Sequence, residues 1–329
     1  MVKAITSAAS GERGVAAWLS RLRLPLDVRY LALLSVIATY ALIVLGGTVR
    51  ATDSGLACPD WPLCQAQLIP PLEGSVLIEY SHRLAAASVG LIILGTAIAA
   101  WLWYRENRFV VAGSTIAVVL VTVQALVGGV TVNMELPDTI VALHLAIALV
   151  LLAVLVATTI VAFRYRRLPP SDTPDPDRVL SPGAAPGLAA VTALATFGLI
   201  LLGSYVANSG AALVYPDWPL FDGRLVSAGG RLADLHYAHR LMAVVVGLLV
   251  LALAVQTWRR RRPALIAAMG CALVLYVAEV LVGASNIWFE LATSVRIVHL
   301  ALASALWAAL VFTAIWGYAE RIGVSGRIG

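Results

Sequence analysis

Apolar residues in this chain fall in long unbroken runs, without the narrow stripe of a helix that shows one face to water. Runs of about 20 residues, long enough to cross a bilayer as a helix, predict eight spans. They lie near 29–49, 79–103, 109–132, 139–163, 187–208, 235–258, 264–286 and 294–318. Between the fourth and fifth, Leu168 to Pro186 is rich in Pro, Ser and Asp, which predicts a flexible linker. The expected organisation is an N-terminal segment 1–28, a four-helix unit 29–163, a linker 164–186, a second four-helix unit 187–318 and a tail 319–329.

The two units are copies. Pro59-Asp60-Trp61-Pro62-Leu63 returns unchanged as Pro216-Asp217-Trp218-Pro219-Leu220. At the same offset, Tyr80-Ser81-His82-Arg83-Leu84 returns as Tyr237-Ala238-His239-Arg240-Leu241. Leu126-Val127-Gly128 and His144-Leu145 return as Leu281-Val282-Gly283 and His299-Leu300. An even number of spans per copy inserts both copies the same way, so the repeat is parallel, with a pseudo-twofold axis along the membrane normal. The fold expected is all-α and integral to the membrane: eight transmembrane helices in two parallel-repeat four-helix bundles.

Composition agrees. The chain is 60% hydrophobic and 12% charged, too little charge to cover a soluble protein of 329 residues. Mean hydropathy is +0.89. The net charge of +5 changes the picture only through its placement. Basic residues gather at Arg13, Arg21, Arg23 and Arg29, at Arg105 and Arg108, at Arg164, Arg166 and Arg167, at Arg259 to Arg262, and at Arg321 and Arg327. These are every second connection and both termini, a positive-inside pattern that puts both termini in the cytoplasm. Loops 50–78, 133–138, 209–234 and 287–293 are then outside, and no nucleic-acid partner is needed to explain the charge. The first 25 or so residues lack the apolar core of a signal peptide, so the first span reads as an uncleaved anchor.

Four of the five histidines occupy matching places: His82 with His239, and His144 with His299. Each lies one to two turns into its span from outside, on alternate spans that run in the same direction. One such histidine reads as a helix–helix hydrogen-bonding group or an interfacial anchor. Two pairs at equal depth, duplicated, read as a ligand site, because ionisable groups inside a membrane are costly. Facing imidazoles suit a metal, and haem is the candidate in an apolar bundle; zinc would want four nearby ligands that the copies do not supply. Arg83 and Arg240 follow their histidines and could pair with haem propionates or snorkel to headgroups. Arg50 carries the same two readings, and its counterpart is Ala207.

The copies differ at telling positions. Glu79 stands three residues before His82, on the same helix face, where the second copy has His236. Glu79 reads as a proton-handling group beside a cofactor or as a first-turn acid favoured by the helix dipole. The asymmetry suggests that one half reacts and the other assists. His236 reads as an interfacial residue, with a fifth ligand as the alternative. Cys58 and Cys64 can form a short exposed disulfide in an oxidising exterior, structural or redox-active. Tyr215 and Phe221 replace them in the second copy, so the loop fold does not require the pair, which tilts the reading towards a redox or regulatory role. Cys271 reads as packing. Gly46-Gly47, Gly128-Gly129, Gly203 and Gly283 allow close helix approach or room for a flat macrocycle. Glu279 is an intramembrane acid without an evident partner, where the first copy has Gln124.

The run Gly55-Leu56-Ala57-Cys58-Pro59-Asp60-Trp61-Pro62-Leu63-Cys64, followed by Glu79-Tyr80-Ser81-His82-Arg83, resembles the haem A synthase family, and the likeness extends over all eight spans. It implies an oxidoreductase that converts haem O to haem A, oxidising a ring methyl to a formyl group by successive hydroxylations, for cytochrome oxidase. The family pattern implies a haem b on His239 and His299, substrate haem O on His82 and His144, Glu79 in the active site, and a Cys58–Cys64 disulfide. Members with cysteine pairs in both halves differ from this chain. Expected partners are haem O, membrane lipid, the haem O synthase, an electron-transfer partner and further copies of the chain, in the cell membrane. From the histidines alone, a non-enzymatic dihaem b-type electron-transfer protein is the alternative, and a haem carrier a third reading.

Overall fold

A computed structural model of the chain describes residues 27–164, 186–259, 261 and 263–321. Most of the expected terminal segments and linker therefore lies outside the described residues. Eight long helices carry the fold: α1 (Val28–Ala51), α2 (Gly74–Trp103), α3 (Arg108–Asn133), α4 (Asp138–Arg164), α5 (Pro186–Asn208), α6 (Arg231–Arg259), α7 (Pro263–Trp288) and α8 (Thr293–Arg321). All eight are long and apolar enough to cross a membrane. A helix satisfies every backbone group internally, which is what hydrocarbon demands of a spanning segment. Among the described residues β pairing is limited to two isolated bridges, Cys64 with Gln67 and Phe221 with Arg224.

Side chains that would be a liability in water lie bare on the helix flanks: Leu91 is 70% exposed and Val274 69%. Such apolar exposure on every span fits contact with lipid. Polar residues sit instead at helix starts. Asp27 caps α1 by accepting from Arg29 N–H, and Asn107 caps α3 by accepting from the N–H groups of Phe109 and Val110.

Each set of four helices closes into a ring. In the first, α1 packs on α2, α2 on α3, α3 on α4, and α4 returns to α1; α5 to α8 repeat this order. Helices α2 and α4 therefore stand diagonally opposite, as do α6 and α8. The rings meet through α1 and α4 against α8, and α4 against α5. Leu149, Leu152, Val250, Leu253 and Leu310 belong to one buried cluster that runs through this seam. Trp307 Nε1–H donates to the Leu149 carbonyl at 3.0 Å, and Tyr40 O–H to the Ala301 carbonyl at 3.1 Å. Gly47 leaves the room that Leu300 fills, since a Cβ there would collide with the leucine.

Two helix starts differ from expectation by more than one residue. Helix α2 begins at Gly74, five residues before the predicted 79, and α6 at Arg231, four before 235. Apolar counting marks only a hydrocarbon-length stretch, while the helices continue beyond it, α2 through Gly74-Ser75-Val76-Leu77-Ile78 and α6 through Arg231-Leu232-Ala233-Asp234. Glu79 is consequently past the first turn, which weakens its reading as a dipole-favoured terminal acid.

Candidate functional site: two imidazole pairs under duplicated loops

His82 is the ninth residue of α2, and His239 the ninth of α6. His144 is the seventh residue of α4, and His299 the seventh of α8. At 1.5 Å per residue all four lie about 9–12 Å below the same end of the molecule, the end with the long loops. Because α2 stands diagonally opposite α4, and α6 opposite α8, the two histidines of each unit lie at matching depth on opposed helices of one ring.

Each imidazole is backed by a glycine on the preceding helix. A Cβ on Gly46 would lie 3.1 Å from His82 Cε1, on Gly128 3.2 Å from His144 Cε1, on Gly203 2.8 Å from His239 Cε1, and on Gly283 3.1 Å from His299 Cε1. These glycines are cradles for the ring edges. Gly129 serves the loop instead, for a Cβ there would sit 2.8 Å from Trp61 Cδ2.

Above the pairs, the loops are strapped down in parallel ways. Arg83 donates through Nη1 to the carbonyls of Asp60 at 2.6 Å and Leu63 at 2.5 Å. Its Nη2 donates to the Cys58 carbonyl at 2.7 Å and to Glu79 Oε1 at 2.6 Å. Glu79 is buried, and its Oε2 accepts from Cys58 N–H at 2.7 Å. In the second unit Arg240 donates to the carbonyls of Leu220 at 2.7 Å and Tyr215 at 3.4 Å, and to His236 Nε2 at 3.0 Å. His236 thus stands in for Glu79 as the partner of the arginine. It is buried, not the interfacial residue expected from sequence.

Asp60 holds the loop turn by accepting from the N–H groups of Gln65 at 2.6 Å and Ala66 at 2.8 Å, and Asp217 does the same with Asp222 and Gly223. The Ala66 and Gly223 N–H bonds lead in holding these two carboxyls below the ordinary carboxylate range. The peptide bonds Trp61–Pro62 and Trp218–Pro219 are both cis.

Cys58 and Cys64 form a disulfide, with Cα atoms 4.5 Å apart. Both cysteines are buried, where an exposed bridge was expected. In the second unit Tyr215 and Phe221 fill the same places as an edge-to-face pair at 5.1 Å. Cys271 also departs from expectation: it is exposed on α7 instead of packed.

Arg50 Nε–H donates to Asn208 Oδ1 at 3.0 Å, joining α1 to α5 across the seam. Arg296, which sequence reasoning passed over, donates to the Ala51 carbonyl at 3.2 Å in the same region. Its signal was legible, since it precedes His299 by three residues as Glu79 precedes His82. The three arginines weighed as propionate partners are therefore all engaged with protein groups. Glu279 gains the partner that the sequence did not name: its Oε1 lies 3.0 Å from His299 Nδ1.

The donor sets fit haem better than a compact metal cage. Each unit offers two imidazoles, and no group of three or more His, Cys, Asp or Glu side chains converges among the described residues. Nδ1 of His82, His144 and His239 is buried without a hydrogen-bond partner. Half-buried imidazoles, each laid against a glycine and set at matching depth on diagonally opposite helices of an apolar bundle, suit the coordination of an iron porphyrin.

Comparison with known proteins bears on this arrangement. Residues 29–311 match the family model described as cytochrome oxidase assembly protein. The chain is 30% identical over 292 residues to the heme A synthase of Alkalihalophilus pseudofirmus, covering 86% of this chain and 95% of that one. It is 29% identical over 302 residues to the heme A synthase of Shouchella clausii, covering 87% and 95% of the two chains. A match across both four-helix units and both loops leaves one assignment: this chain belongs to the cytochrome oxidase assembly protein family.

Proposed function

We propose that the chain is a haem A synthase, an oxidoreductase that converts haem O to haem A by oxidising a ring methyl group to a formyl group. The named relatives favour this over a non-enzymatic dihaem electron-transfer protein. The observation that carries the proposal is the pair of duplicated imidazole sites with one chemical difference beside them, Glu79 in the first unit and His236 in the second.

In this reading His82 and His144 would hold the substrate haem O in the N-terminal unit, and His239 and His299 would hold haem b in the C-terminal unit. When bound, haem b would supply a one-electron redox centre beside the substrate. The chain's own residues set the frame. The glycine cradles fix the imidazoles, and the loops close one end of each bundle. Glu79 is the proposed active-site acid, and its grip on Cys58 N–H and Arg83 ties the disulfide loop to the helix turn that carries His82. The buried Cys58–Cys64 bridge is proposed to take part in redox as well as to brace that loop. Arg83 and Arg240, each one residue after its histidine, act through the loops, and Arg50 acts across the seam through Asn208; all three remain the proposed propionate partners.

The placement of basic residues supports a cell-membrane orientation with both termini cytoplasmic and the Cys58–Cys64 loop outside. A haem O synthase as supplier, an electron-transfer partner and a homo-oligomer complete the proposal. Coexpression with a source of haem O tests it: haem A should appear on extraction, and unaltered haem O in every preparation would reject it.

A further inference from the structure

Helix α7 sends two residues, one turn apart, to the same imidazole on α8. Gly283 backs the edge of His299, and Glu279 brings Oε1 to 3.0 Å from His299 Nδ1. The contact is at ion-pair distance without the alignment of a straight hydrogen bond. Glu279 Oε2 is buried without a hydrogen-bond partner among the described residues, and the polar contact this carboxyl makes is with His299. An acid in the middle of an apolar span is costly to keep and calls for a function.

The first unit repeats the scaffold without the acid. On α3, Gly128 backs His144 as Gly283 backs His299. One turn earlier stands Gln124, whose Nε2–H donates to the backbone carbonyl of His144 at 2.9 Å. Nδ1 of His144 stays without a partner. The two units thus present the same imidazole on the same glycine, and differ in what faces its Nδ1.

We propose that Glu279 is a positioning residue that makes the C-terminal site the one that retains its haem, while Gln124 leaves the N-terminal site able to exchange. This rests on the reading that His239 and His299 hold a resident haem. An acceptor at Nδ1 fixes the imidazole tautomer with Nε2 free for iron, sets the ring plane, and makes the ligand a stronger electron donor. In a low-dielectric bundle this effect is strong. The stronger donor favours ferric over ferrous iron and slows ligand loss. A cofactor must stay through many turnovers, whereas a substrate haem must arrive and leave, so the difference at Nδ1 matches the two tasks.

The test uses purified full-length protein carrying its haem, with redox titration, low-temperature electron paramagnetic resonance and haem transfer to apomyoglobin. Glu279→Gln should keep the haem but raise its midpoint, with the oxidised-to-reduced ratio at fixed potential falling about tenfold, or about 59 mV for one electron. Its low-spin signal should shift, and haem loss should speed by about tenfold. Glu279→Asp should restore part of each effect. The converse Gln124→Glu should slow haem loss from the N-terminal site. An unchanged midpoint, signal and loss rate in Glu279→Gln would overturn the proposal, as would faster loss from the N-terminal site in Gln124→Glu. A His299→Ala control separates the two layers: unchanged haem content there rejects the resident-haem reading itself, whatever Glu279 does.

Discussion

Gly203 and His239 stand so close that a Cβ at position 203 would lie 2.8 Å from the imidazole Cε1, the tightest of the four cradles. Helix α5 here gives up a side chain so that a ring on α6 can lie against its backbone. Gly203→Ala must therefore move the ring or the helix. Overpacking of this kind costs about 1–3 kcal/mol, offset by about 1 kcal/mol of helix propensity. Haem retained by the purified variant, measured as pyridine haemochrome, should fall several-fold, and Gly46→Ala should lose less because its contact is 3.1 Å.

Glu79 is buried and its partner Arg83 largely so, with side-chain exposures of 4% and 15%. Removing one partner of such a pair leaves the other charge uncompensated and typically costs about 3–5 kcal/mol. Glu79→Ala should lower thermal stability, loosen the loop and leave haem O or a hydroxylated intermediate to accumulate. Glu79→Gln, which can still accept from Cys58 N–H, should be more stable while haem A formation remains reduced. Full haem A output from Glu79→Ala would remove the acid from the active site.

The disulfide closes a short loop, for which the chain-entropy estimate is about 2 kcal/mol. Cys58→Ser with Cys64→Ser should lose about that much stability, whereas the aromatic pair of the second unit is indifferent to reductant. Glu79 holds this loop through the Cys58 backbone, so the double variant should retain haem. A drop in haem A formation larger than the stability loss explains would mark the bridge as redox-active.

Loop order should depend on acid in one direction. The carboxyls of Asp60 and Asp217 are held below their ordinary value of 3.8 by backbone N–H bonds. Groups with depressed folded values stabilise above the unfolded value, and that contribution is lost as pH falls through the lower one. The Cys58–Cys64 bridge should stay shielded from a phosphine reductant at pH 5 and open only below pH 4. Asp60→Ala should open it at neutral pH.

The architecture was legible because membrane solvation leaves so little choice. Spans such as α4, from Asp138 to Arg164, announce themselves by length and apolarity alone. The duplicated histidines were legible for a related reason, since polar groups kept twice at equal depth have few structural uses. Contacts across the fold were not. That Arg83 turns its guanidinium onto loop carbonyls depends on where residues 58–63 come to rest, which no spacing encodes. The contact between Glu279 and His299 was hidden similarly, because the two residues belong to different helices. Glycines were visible as small residues, but their task of backing imidazoles needed the packing of α1 on α2 and α7 on α8.

We propose that two imidazole pairs hold two haems with different fates. The direct measurement is chromatography of haem extracted from the purified chain after coexpression with a haem O source, in wild type and in His82→Ala and His239→Ala variants. The expected result is haem b together with haem O or haem A in the wild type, loss of haem O and haem A in His82→Ala, and loss of haem b in His239→Ala. Two equivalents of unmodified haem b in the wild type, with no haem A under any condition, would contradict it.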